Sequence, residues 1–266
     1  LSTWIDLYDV EWTPHEQVAV ASAAGVDTIF VQSARFNSPD DIHDPARFAA
    51  LIEAAHDRGI RVMTWYIPDF LDLEKDYRRA VAAIGFTTPR GDRADAFGLD
   101  IELSAEPDIG VRNARLLALS RALRTAVGSS YPMAAIVLPP LQLDLNGTWW
   151  PGFPYAELRP FYDVYIPMSY SSYRGTDDVT TRAWNLQNVA ETRRRAGDPN
   201  LPVHLAGGIA DNLPEVGAFV QAAREGNVLG AGLYDLHTTR SSAWPALQAL
   251  RRTPGTAGPV PSLVGP

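Results

Sequence analysis

Strand-like and helix-like segments alternate from one end of this chain to the other, and that alternation constrains its fold more than any other feature. Short apolar runs read as strands at Thr3–Tyr8, Thr28–Gln32, Arg61–Ile67, Gly98–Glu102, Ala134–Leu138, Val164–Met168, Val203–Ala206 and Gly230–Leu236. Helical patterns lie between them, at 14–24, 45–58, 73–84, 111–127, 155–161, 180–195, 214–225 and 244–252. Pro14 and Gly25 bracket the first of these, and Pro45 and Gly59 the second. Strict alternation predicts an α/β fold, a single (β/α)8 TIM barrel. The length of 266 residues suits that architecture, which typically takes about 250. A doubly wound sheet is the alternative. It is disfavoured because no glycine-rich dinucleotide turn follows the first strand.

The barrel is expected to occupy residues 1–252. The stretch from Thr253 to Pro266 is rich in Pro, Gly and small residues, and reads as a flexible tail, a linker or an ordinary frayed terminus. Hydrophobic residues make up 46% of the chain, enough for one large core. The net charge of −8 argues against nucleic acid and anionic membrane as partners. No apolar run is long enough to span a membrane. The absence of cysteine removes disulfides, thiolate metal sites and a cysteine nucleophile. The five histidines are scattered, with no HxH or HExxH, so neither a metal nor a cofactor is expected. The chain opens on Leu1 rather than Met, which fits a mature form whose leader has been removed, hence an extracellular or cell-surface location.

The richest chemistry lies in Gly98-Leu99-Asp100-Ile101-Glu102. Side chains alternate along a strand, so Gly98, Asp100 and Glu102 share one face and Leu99 and Ile101 the other. Two carboxylates side by side in a partly buried place push a pKa upward. Such a pair suits a site that needs an acid and a base at neutral pH. The alternative is a strand end running into solvent with both acids hydrated.

In a barrel of this type the active site lies at the C-terminal ends of the strands. Polar and aromatic residues gather there: Asp6 on strand one, with Trp4 and Tyr8 on the same face; Gln32 and then Arg35 after strand two; Tyr66 on strand three; Tyr170 after strand six; Tyr234 and Asp235 on strand eight. Each has a duller reading as a satisfied core residue. His204 and His237 are single histidines on different strands and read as satisfied polar groups. After strand five, the loop Asn146–Tyr155 brings Trp149 and Trp150 to the same rim. They serve either as stacking surfaces for sugar rings or as clamps for their own loop. Lys75, the only lysine, falls on a helix, which disfavours Schiff-base chemistry.

These residues resemble the TIM-barrel glycoside hydrolases. Asp100-Ile101-Glu102 is similar to the D-x-E that closes the family 18 chitinase signature, and Met168-Ser169-Tyr170 resembles that family's Met-x-Tyr. Tyr234 stands where those enzymes carry an aromatic residue on strand eight. The further Asp of that signature is here Gly98, and the strand-three Gly-Gly is absent. Trp4-Ile5-Asp6-Leu7 resembles the start of the family 25 lysozymes, which are shorter. The resemblance also extends to glycosidase-like barrel domains of bacterial surface and secreted proteins.

The resemblance implies hydrolysis or transfer of a glycosidic bond in a polysaccharide or peptidoglycan-type glycan, with retention of configuration through attack of either an enzyme carboxylate or a substrate acetamide on the anomeric carbon. Glu102 is then the general acid and afterwards the base. Asp100 keeps the Glu102 proton in place, and Asp6 is a supporting or nucleophilic carboxylate. Tyr66 and Tyr170 bond the sugar, Tyr234 forms the floor, and Gln32, Arg35, Asp235, Trp149 and Trp150 line the substrate. A glycan-binding barrel without catalysis, which the glycine at position 98 favours, is the alternative, followed by another class of barrel enzyme.

Overall fold

The computed structural model describes residues 1–174, 177–210 and 212–251. The chain forms a single (β/α)8 barrel. In order, its elements are β1 (Ser2–Ile5), α1 (Pro14–Ala23), β2 (Thr28–Arg35), α2 (Pro45–His56), β3 (Arg61–Ile67), α3 (Leu73–Gly85), β4 (Ala96–Ile101), α4 (Ile109–Val127) and β5 (Met133–Val137). They continue with α5 (Pro140–Leu145), α6 (Tyr155–Leu158), β6 (Val164–Pro167), α7 (Asp178–Ala196), β7 (His204–Gly207), α8 (Leu213–Glu225), β8 (Gly230–Leu233) and α9 (Trp244–Leu247). All strand pairs are parallel, in the order β6-β5-β4-β3-β2-β1-β8-β7. Bridges from Tyr165 to Val203 and from Met168 to Ala206 close β6 onto β7. The expected tail, residues 253–266, lies outside the described residues. No helix of the described residues is long and apolar enough to cross a membrane.

Local chemistry sets the element ends. Thr13, Asp44, Asp72, Asp108, Asp177 and Asn212 each precede a helix and accept a hydrogen bond from an amide of its first turn. Gly25 and Gly59 follow α1 and α2 at φ of 77° and 68°, which only glycine adopts at little cost. Several boundaries depart from expectation, among them the end of β2, which runs on to Arg35 instead of stopping at Gln32, and that of α6, which stops at Leu158. β1 stops at Ile5 instead of Tyr8, because the Asp6 carboxylate accepts from the Tyr8 amide at 2.7 Å and turns the chain. Tyr8 therefore leaves the barrel face. The connection after β5 contains the six-residue α5, too short for its periodicity to be read. β8 ends at Leu233 rather than Leu236. The last helix is a single α-turn followed by a 3-10 turn, Gln248–Leu250.

The barrel interior follows from strand parity. Trp4 meets Phe30 and Trp65 edge-on, with ring centroids 4.5 and 5.6 Å away, so these residues of β1, β2 and β3 point inward. Register then carries the inward face from Trp65 to Gly98 and on to Asp100. On the far side of the barrel the residues are small. A Cβ on Gly232 of β8 would lie 2.1 Å from the Ser2 carbonyl oxygen of β1. Gly232→Ala is therefore expected to lower the unfolding free energy by about 3 kcal/mol, since the obstacle is backbone. Gly98→Ala meets only the tips of Ile136 and Met63, at 2.9 and 3.1 Å, and should cost about 1 kcal/mol. Urea denaturation of the two variants checks the ranking, and equal costs would contradict it.

Candidate active site

Asp100, the last residue but one of β4, faces the interior and is 5% exposed. Its Oδ1 has no hydrogen-bond partner among the described residues. Glu102 follows two residues later on the same face, at the edge of the mouth, and is half-buried. Burial, reinforced by the Glu102 charge, pushes Asp100 well above the usual carboxylate range. Glu102 is also raised by burial, and the Arg35 guanidinium opposes that rise. Each carboxyl thus opposes ionisation of the other, and the buried Asp100 is the more strongly raised of the two.

A bulge in β2 explains how Gln32 and Arg35, three apart, both reach this face. Gln32 pairs with Trp65, the register slips between Gln32 and Ala34, and Arg35 pairs with Ile67. The Gln32 Oε1 accepts from the Leu7 amide at 3.2 Å. Arg35 donates from Nη1 to the Tyr8 hydroxyl at 2.6 Å. Its own backbone is pinned by Ser38 and Arg79.

Tyr170 stands half-buried beside the pair. Burial and then the charges of Asp100 and Glu102 hold its phenol neutral. Its ring lies 6.2 Å from that of Tyr234. Tyr234, where the peptide bond to Asp235 is cis, donates its hydroxyl to Asp6 Oδ2 at 2.6 Å. Both Asp6 oxygens are thus engaged, one by Tyr234 and one by the Tyr8 amide, which makes Asp6 a support for the tyrosine. Asp235 caps its own turn, accepting from the Thr238 amide at 2.8 Å.

Two of the expected site residues lie elsewhere. Tyr66 has the opposite parity to Trp65. It faces α3, is fully buried, and donates to Asp76 at 2.6 Å, so it cannot touch a substrate in the mouth. Trp150 is 1% exposed beneath the Arg112 guanidinium, with its indole donating to Asn113 at 2.7 Å. It anchors its loop to α4 and offers no open face. Trp149 is half-buried and packs on the core. The histidines stay outside the chemistry: His204 bonds Ser2 near the opposite end of the barrel, and burial pushes it down to about 3, while His237 packs on Trp12. Lys75 pairs with Asp69 at 2.9 Å.

The position that departs from the chitinase pattern is filled. Ile136 and Met63 occupy the space beside Gly98 that an acidic side chain would need. The sequence reading passed over Asp9, three residues after Asp6. Asp6, Asp9 and Asp235 offer oxygens within 4.8 Å of one another, a spacing that could hold a cation. Hydrogen bonds within the protein already engage each of the three carboxylates. Burial, and next the charges of Asp6 and Asp235, raise Asp9 to about 6. A raised carboxyl stabilises the fold fully below its unfolded pKa and loses that contribution as pH rises through 6. Asp9→Asn should therefore gain about 2 kcal/mol on wild type between pH 4 and pH 7, measured by urea denaturation at each pH. A difference that does not change with pH would contradict this.

Compared with known proteins, the chain matches no family model, and no curated protein is similar to it in sequence. Solved structures are similar in fold. An endo-1,4-β-D-mannanase from Thermotoga petrophila superposes with a TM-score of 0.68 at 10% identity, covering 88% of this chain and 87% of that one. The spore cortex-lytic enzyme SleL of Bacillus cereus gives 0.69 at 9% identity, covering 94% and 73%. A chitinase from Chromobacterium violaceum gives 0.68 at 13% identity, covering 95% and 99%. What this chain shares with these three enzymes is the (β/α)8 barrel.

Proposed function

We propose that the protein is a glycoside hydrolase, or transglycosidase, acting on a polysaccharide or peptidoglycan-type glycan. The observation that carries this reading is the Asp100–Glu102 pair at the C-terminal mouth, Asp100 buried and Glu102 half-buried, both raised by burial and both beside Tyr170. That fold neighbours are named mannanase, cortex-lytic enzyme and chitinase supports it. A polymer of this kind places the protein's work outside the cell membrane or at the cell surface.

Glu102 is at the mouth edge, where it can reach a glycosidic oxygen. As the bond from that oxygen to the anomeric carbon breaks, the Glu102 carboxyl gives its proton to the leaving oxygen. As that bond breaks, a nucleophile, either an enzyme carboxylate or the substrate's own acetamide oxygen, bonds to the anomeric carbon, and the Asp100 carboxyl lies beside the charge that develops there. In the second half a water displaces that nucleophile and gives one proton to Glu102, which restores its carboxyl. Retention of configuration, which the resemblance implies, is read from the anomer first formed.

The filled space beside Gly98 favours the second reading, a barrel that binds glycan without cleaving it. One experiment separates the two. Wild type and Glu102→Gln are incubated with β-1,4-mannan, chitin and peptidoglycan, and new reducing ends are counted. The expected result is product from wild type and a loss of about 10²-fold or more in the folded variant. Glycan binding without product in either supports the second reading, and equal activity in both removes Glu102 from the chemistry.

A further inference from the structure

Three aromatic side chains among the described residues are exposed to solvent by more than a third: Tyr8, Tyr77 and Tyr173. Tyr77 lies on α3, on the outside of the barrel. The other two, 67% and 77% exposed, both stand on the mouth. Tyr8 is in the loop after β1, and Tyr173 ends the 3-10 turn Ser171–Tyr173 after β6. Going round the barrel from the acid pair on β4, one direction passes β3 and β2 to β1, and the other passes β5 to β6. The two rings therefore flank the pair on opposite sides.

Neither ring hangs loosely. Arg35 holds the Tyr8 hydroxyl, and Arg35 itself is fixed at its backbone. Tyr173 leans on Tyr170, with centroids 6.4 Å apart, Tyr170 on Tyr234 at 6.2 Å, and Tyr234 on Trp4 at 6.0 Å. A file of rings thus runs from the rim at β6 to the barrel floor. An exposed aromatic ring held in place is costly in water unless something covers it, and the apolar face of a sugar ring covers it at little entropic cost.

We infer that Tyr8 and Tyr173 are stacking surfaces on the two sides of Glu102, and that the substrate is a polymer of sugar rings lying across the mouth and cut within its length. This rests on the glycosidase reading. A single sugar seated on the acid pair could not cover both rims, so the two rings matter only for a long substrate. The expected surface Trp150 does not serve here, since its ring lies beneath Arg112 with its indole bonded to Asn113.

The test uses whichever of soluble β-1,4-mannan, glycol chitin and solubilised peptidoglycan the wild type cleaves. Viscosity and reducing ends are followed together, and kcat/KM is compared between the polymer and the shortest oligosaccharide cleaved. Wild type should lower viscosity early. Tyr8→Ala and Tyr173→Ala should each lose about tenfold in kcat/KM on the polymer and keep wild-type kinetics on the shortest substrate. Tyr173→Phe, which keeps the ring and its contact with Tyr170, should restore most of the loss, and Tyr8→Phe, which keeps the ring but loses the bond from Arg35, should restore part of it. Release of short products with no early fall in viscosity overturns this inference and leaves the glycosidase reading standing. So does an unchanged polymer preference in both alanine variants, which would assign the rings to a protein partner instead. A wild type that cleaves none of the three glycans overturns both.

Discussion

The mouth depends on how the inside of the barrel is filled. Large rings from β1, β2 and β3 cross the interior, and β7 and β8 make room by having little or no side chain, at Ala206 on β7 and at Gly230 and Gly232 on β8. The same sharing seats His204 against Gly230, where a Cβ would meet its ring at 2.7 Å. Asp100 lies on the same inward face, near the C-terminal end of β4, and burial is what raises both it and Glu102.

Much of this was legible in the sequence because two periods, 2 and 3.6, follow from backbone geometry. The alternation gave the barrel, and parity alone put Gly98, Asp100 and Glu102 on one face. What stayed hidden has specific causes. The end of β1 is decided by a bond from the Tyr8 amide to the Asp6 side chain, which leaves no periodic trace. Trp65, Tyr66 and Ile67 are all apolar or aromatic, so the run does not say which parity faces in; the contact of Trp65 with Trp4 decides it, and Tyr66 goes to α3. Gln32 and Arg35 were placed together at the mouth, but an unbulged strand would have separated them. Trp150 could have gone either way, and an arginine on α4, far off in sequence, settled it.

The relation to known enzymes has the same two layers. Barrels at 9 to 13% identity superpose over most of this chain, so the architecture outlasts any recognisable sequence. Fold of this kind hosts many chemistries and assigns none. The site therefore has to be argued from its own groups, and here they diverge from the chitinase pattern at one definite place. Beside Gly98 there is isoleucine and methionine rather than an acid, so any proton relay in this protein runs through two carboxyls and not three.

The bond from Tyr234 to Asp6 also sets a polarity at the mouth. A phenol has one proton, and Tyr234 has committed its own to Asp6. What remains on that oxygen is a pair of electrons. Any group that comes to rest there must bring the hydrogen itself. An ether oxygen would meet another lone pair and be turned away. A single internal hydrogen bond, made before any ligand arrives, thus leaves the Tyr234 oxygen open to donors alone.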